Sequence, residues 1–198
     1  MIFKSKRQIT LRTLGDEILA KTADPILNVD ESIVRLAREM IEATVVFNGI
    51  GLAAPQYGVS KRLVVLDVPE DSMSEVPTPG EEQLLPRMPL VLINPEILSY
   101  STNKSVRDEG CLSVPDIYAP VERPEKVVLR SMTLEGDMIE CECGGLLGRC
   151  IQHELDHLEG KCFTDRLSPE AAREVAGEIK RLRRYGEKKS FMRTKSVK

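Results

Sequence analysis

Apolar and small residues recur at helical spacing at Ile33, Leu36, Ala37, Met40, Ile41 and Thr44, which predicts one buried helix face ending near Asn48. Asn28 to Glu31 has the form of a capping box at its start. The period then changes. Arg62 to Val68 is a nearly unbroken apolar run and reads as a buried strand. Residues 69 to 89, rich in proline, glutamate and serine, read as a solvated loop. Strands are expected at 90–93, 126–134 and 137–143, the last two joined by a turn at Glu135-Gly136. From Gly145 or Leu146 to Gly160 the helical period returns. Leu146, Leu147, Cys150, Ile151, Leu155 and Leu158 leave that helix apolar around most of its circumference, so it belongs inside the domain. A last helix starts at Ser168-Pro169-Glu170, with serine as cap and proline in the first turn, and carries Ala172, Val175, Ala176, Ile179 and Leu182 as its apolar line. Neither a repeat nor a linker interrupts the pattern, so residues 1–185 are read as one α+β domain and 186–198 as a basic, flexible tail.

Composition narrows the class. A chain of 198 residues with 41% hydrophobic and 30% charged residues suits one ordinary globular domain. No apolar run is long enough to cross a bilayer, and Met1–Arg7 meets charge too early for a signal peptide. An odd number of cysteines, five, argues against a disulfide framework and for a reducing, cytoplasmic setting. Charge is unevenly spread. Residues 180–198 hold nine basic side chains against the single acid Glu187, although the whole chain is at −3. Such a segment either binds a polyanion or simply stays solvated.

The chain has two histidines, and both stand in His153-Glu154-Leu155-Asp156-His157. On a helix this string puts two imidazoles one turn apart on the same face, where they can share a divalent metal with Glu154 beside a metal-bound water. Finding the full histidine complement inside one ligand pattern makes coincidence the poorer reading. A third protein ligand is still needed. A longer metalloprotease pattern, with a third histidine six residues after the second, fits through Gly160 but has Phe163 where that histidine belongs. A glutamate roughly twenty residues downstream, Glu174 or Glu178, remains open on spacing alone. Among the cysteines, Cys141 and Cys143 share a strand face and read as core packers, as does Cys162. Cys150, one turn before His153, reads as a pocket wall, because a catalytic metal needs an open position.

Two further strings decide between these options: Gly49-Ile50-Gly51-Leu52-Ala53-Ala54-Pro55-Gln56 and Glu109-Gly110-Cys111-Leu112-Ser113. With the histidine string, in this order, they resemble the peptide deformylases, over about residues 12 to 166. The resemblance implies an α+β fold with antiparallel or mixed sheets packed around a central HExxH metal-binding helix, and a C-terminal helix. It implies Cys111, His153 and His157 as metal ligands. The metal would be one divalent ion, Fe²⁺ in the cell, with Zn²⁺, Ni²⁺ or Co²⁺ able to occupy the purified protein. It further implies a hydrolase that releases formate from the formyl-methionine of nascent peptides. In that reaction metal-bound hydroxide attacks the formyl carbon, Glu154 acts as general base and acid, and Gln56 with the Leu112 N–H stabilises the oxyanion. Ile50, Gly51, Gly110, Leu146 and Cys150 would line the substrate site. Arg149, where many relatives carry an apolar residue, would lie at the rim with its charge reaching water.

Glu109 is then expected to support the metal site, and Asp156, facing away from it, to pair with Arg123. The partners expected are formyl-methionyl nascent chains and, through the basic tail, ribosomal RNA. No membrane or DNA partner is expected. Two other readings differ in kind: a zinc peptidase using a downstream glutamate, and a non-catalytic ribosome-docking relative, for which Gln56 and Glu154 would have no use.

Overall fold

The computed structural model describes residues 8–188 and 191–197. Strand β1 (Gln8–Arg12) precedes helix α1 (Glu31–Phe47). Strand β2 (Gly51–Ala53), the one-turn helix α2 (Ala54–Tyr57) and strand β3 (Leu63–Leu66) follow. Next come α3 (Pro79–Leu84) and strands β4 (Leu90–Tyr100), β5 (Lys104–Cys111) and β6 (Val114–Pro124). Strands β7 (Val127–Met132) and β8 (Met138–Cys143) lead into α4 (Gly145–Leu158), α5 (Pro169–Lys188) and β9 (Met192–Ser196). The sheets are antiparallel: a five-stranded one in the order β2-β3-β4-β7-β8, the hairpin β5-β6, and the pair β1-β9.

Strand β3 shows why its sequence is apolar without alternation. Leu63 and Val65 join the core under α1, whereas Val64 and Leu66 join the core under α4. A strand buried on both faces has no polar positions to alternate with. The five-stranded sheet therefore lies between α1 and α4, and α4 is enclosed: every residue from Leu147 to Leu158 is buried. A third core joins β6, Phe163 and Val175 of α5. No helix among the described residues is long and apolar enough to cross a membrane.

The structure departs from the sequence expectations in several places. Helix α1 is capped by Asp30, not by Asn28, because Asp30 Oδ1 accepts from the N–H groups of both Ser32 and Ile33. The stretch read as a loop contains α3, whose Thr78 and Glu81 form a true capping box. The Glu81 carboxylate also accepts from Ser74, and Gly80 packs so closely on Cys143 that a Cβ would lie 2.4 Å from its Sγ. The segment 104–124 is a long hairpin that the sequence reading did not recognise as strands. Finally, the basic tail is not free throughout. Met192–Ser196 pairs with Gln8–Arg12, since Phe191 anchors the turn before it: Thr13 N donates to Phe191 O at 2.7 Å. Lys189 and Lys198, also assigned to that tail, lie outside the described residues.

A candidate metal centre in the cleft

Helix α4 carries His153, Glu154 and His157 toward the end of β5, where Cys111 sits at a register break in the hairpin. One ligand atom from each of Cys111, His153 and His157 falls within 4.8 Å of the others. Cys111 Sγ is 3.2 Å from His157 Nε2. Two donors also converge on this sulfur at 3.3 Å, the Gln56 side-chain amide and the Ser113 N–H. Gln56 is held in turn by Ala53, whose N–H donates to its Oε1 at 2.7 Å. The one-turn helix α2 thus aims the Gln56 amide at the centre.

Glu109 fixes the orientation of His153. Its Oε2 accepts from His153 Nδ1 at 2.9 Å, leaving Nε2 as the nitrogen free to bind a metal. Arg123 grips the same carboxylate with two bonds, of 2.7 and 2.9 Å, and reaches Asp156 at 2.9 Å. Asp156 therefore points away from the centre into an ion-pair network, closed on its other side by Arg166. Burial pushes the Glu109 pKa up, but the hydrogen bonds from His153 and Arg123 outweigh it and hold the group at about 2.

The remaining electrostatics suit a bound cation. Burial opposes a Cys111 thiolate, yet the Cys162 thiol and the two imidazoles bring its pKa well below the usual value. Burial likewise disfavours a charged His153, but Cys111 and Glu109 retain its proton. Surroundings that hold a proton this firmly would also attract a divalent ion, and a thiolate with two imidazoles is a donor set that transition metals accept. Glu154 differs from its neighbours. Burial raises its pKa to about 6, and its Oε2 is buried without a partner among the described residues.

The centre opens into a cleft of about 430 Å³. Gln56, Cys111, Leu112, His153 and Glu154 are on its wall, together with Ile50, Gly51, Gly110, Leu146, Arg149 and Cys150. His157 lies behind it, fully buried. At Gly51 a Cβ would meet Glu154 Oε1 at 2.5 Å and Cys150 Sγ at 2.8 Å, so only glycine fits beside the acid. Arg149 departs from expectation: its guanidinium turns inward to protein partners instead of out to solvent. It is buried and donates to Glu109 at 2.8 Å, to the Val121 carbonyl at 3.1 Å and to Ser105. The Glu109 carboxylate, itself buried, offers that charge a partner and so offsets part of the cost of taking it out of water. Phe47, Asn48, Asp116 and Arg193 also line the cleft, and the sequence reading missed all four.

Comparison with known proteins gives a single answer. The sequence model of the polypeptide deformylase family matches residues 9–173. Peptide deformylase 2 of Gloeobacter violaceus is 42% identical over 168 residues, 85% of this chain and 83% of its own length. The peptide deformylase of Rhizobium meliloti is 44% identical over 155 residues, 78% of this chain and 82% of its own. Among solved structures, that of Ehrlichia chaffeensis peptide deformylase in complex with actinonin matches with a TM-score of 0.74 at 32% identity, covering 86% of this chain and 95% of that one. The Legionella pneumophila peptide deformylase matches at 0.73 and 36% identity, covering 89% and 96%.

Proposed function

The chain belongs to the polypeptide deformylase family, whose members remove the N-formyl group from nascent polypeptides, and we propose that it does so at the Cys111–His153–His157 centre with Glu154 as proton carrier. The observation that carries this reading is convergence: three candidate ligands, an acid whose Oε2 has no partner among the described residues, and an amide donor meet at or behind the wall of one cleft. A divalent ion held by the cysteine and the two histidines would supply Lewis acidity, making water a stronger acid and polarising the formyl oxygen. The ion in the cell is ferrous, replaceable during purification by zinc, nickel or cobalt.

The chain's own groups do the rest. Glu154 takes a proton from the attacking water through its free carboxylate oxygen. It returns that proton to the departing amine as the C–N bond breaks, leaving formate and a peptide with a free methionine amine. Burial, which raises the pKa of this carboxylate, suits a group that must accept a proton and then return it. As the formyl oxygen gains charge, the Gln56 amide and the Leu112 N–H donate to it. Gly51 and Gly110 leave room for an extended peptide backbone, and Ile50, Leu146 and Cys150 receive the methionine side chain. Arg149, on the same wall, has its charge engaged by Glu109. The cytosol suits this chemistry, because a reducing compartment keeps Cys111 a thiol. The deciding measurement is formate release from a formyl-methionyl tripeptide by anaerobically purified protein of known metal content. Metal-loaded protein that releases none would overturn the reading.

Docking on ribosomal RNA belongs to the same proposal. Lys180, Arg181, Arg183 and Arg184 are all exposed on α5, so the basic character is displayed by a helix and not only by a tail. Each phosphate contact releases counterions, so binding should weaken steeply with salt. Ribosome co-sedimentation at low salt should drop when Lys180, Arg183 and Arg184 are replaced together by glutamate. Equal pelleting of the two proteins would leave α5 without that role.

A further inference from the structure

Strand β9 lies beyond the stretch matched by the family model, which ends at residue 173, yet it contributes a side chain to the catalytic cleft. Its placement is built, not incidental. The Phe191 ring occupies a notch between two glycines, where a Cβ at Gly15 would meet the ring at 2.3 Å and one at Gly186 at 2.4 Å. The strand then runs antiparallel to β1, with Arg193 opposite the buried Leu11 and Lys195 opposite the buried Ile9. Alternation therefore turns Arg193 and Lys195 to one side and Thr194 to the other. Both cations lie over the Phe47 ring, Arg193 at 5.4 Å and Lys195 at 5.1 Å from its centroid. Lys195 is further tied to the Val46 carbonyl at 3.1 Å and does not line the cleft. Arg193 does line it, and makes no ion pair among the described residues.

The cleft wall consequently carries charge of both signs, contributed by different elements. Arg193 stands with Phe47 and Asn48 at the C-terminal end of α1, while Asp108 and Asp116 come from the β5–β6 segment. An extended peptide in the cleft turns successive side chains in opposite directions, so neighbouring positions meet different parts of that wall. Resting on the deformylase reading, we infer that Arg193 is a specificity-determining residue that favours an acidic side chain at the second or third position of the formyl-methionyl substrate. The aromatic face beneath the guanidinium holds it in place without neutralising it.

The test uses the full-length, metal-loaded enzyme and C-terminally amidated formyl-methionyl tetrapeptides, so that no terminal carboxylate competes. Glutamate, glutamine and lysine are placed in turn at the second and third positions. Wild type should prefer glutamate over lysine at one of them by about two- to fivefold in kcat/KM, as expected of a partly exposed ion pair, chiefly through KM. Arg193→Gln should remove that preference, Arg193→Lys should keep most of it, and Arg193→Glu should invert it. High salt should compress the wild-type ratio. A wild-type enzyme indifferent to charge at both positions, or an Arg193→Gln ratio equal to that of wild type, overturns the inference. Failure of wild type to release formate even from the glutamine peptides would instead remove the functional reading and this one with it.

Discussion

Replacing Glu154 by glutamine should lower deformylation by about 10²–10⁴-fold, the usual worth of a positioned general acid–base, while the protein keeps its metal. The expectation separates two roles that the HExxH string merges. Glu154 is one residue from His153, yet its carboxylate is outside the cluster of candidate ligands, and its Oε2 has no partner among the described residues. A glutamate serving the fold would be tied down like Glu109, whose carboxylate binds two arginines and a histidine. Glutamine preserves the volume and the fit against Gly51 but cannot accept and return a proton. The check is single-substrate kinetics beside metal analysis of the same preparation. Turnover within a fewfold of wild type at equal metal content would sink the role.

Cys111→Ala should lose the metal altogether. Removing an outer hydrogen-bond partner of a ligand typically costs about 10–100-fold in affinity, and removing one of three ligands should cost more. The sulfur also collects the Gln56 and Ser113 donors, so its loss leaves those N–H groups without an acceptor. Metal content measured after gel filtration, with circular dichroism to confirm the fold, distinguishes loss of the ion from loss of the protein. A stoichiometric ion retained by Cys111→Ala would contradict the assignment and return Glu174 or Glu178 to consideration. Both of those are exposed on α5, a poor position from which to complete a buried site.

Much of the centre was legible because its chemistry is local. His153, Glu154 and His157 stand within about one helical turn, and the facing of Asp156, away from the two histidines, marked it as an ion-pair partner; the structure pairs it with Arg123, the partner suggested from the sequence. Helix α4 announced its burial through apolar residues on every side. What could not be read depended on contacts distant in sequence. Arg149 looked like a rim residue because nothing near it in sequence shows that Glu109, forty residues earlier, waits inside. Strand β6 does alternate, with Ile117, Ala119, Val121 and Arg123 buried, but Pro115 and Pro120 hid the rhythm, and a buried arginine counts as polar in any pattern. Strand β9 offered almost no apolar signal. Its place is decided by Phe191 and two glycines that are far apart in the chain.

The pairing of β1 with β9 also sets an order of assembly. The Thr10 and Thr194 hydroxyls meet at 2.9 Å across 184 positions of sequence. During synthesis the β1 segment exists long before its only strand partner among the described residues, so its N–H and C=O groups wait without a ladder to join. The delay is costly in time, not in equilibrium: each doubling of a closed loop adds only about 0.6 kcal/mol of entropy. The part of the cleft wall that bears Arg193 is therefore completed only when a late strand returns to an early one.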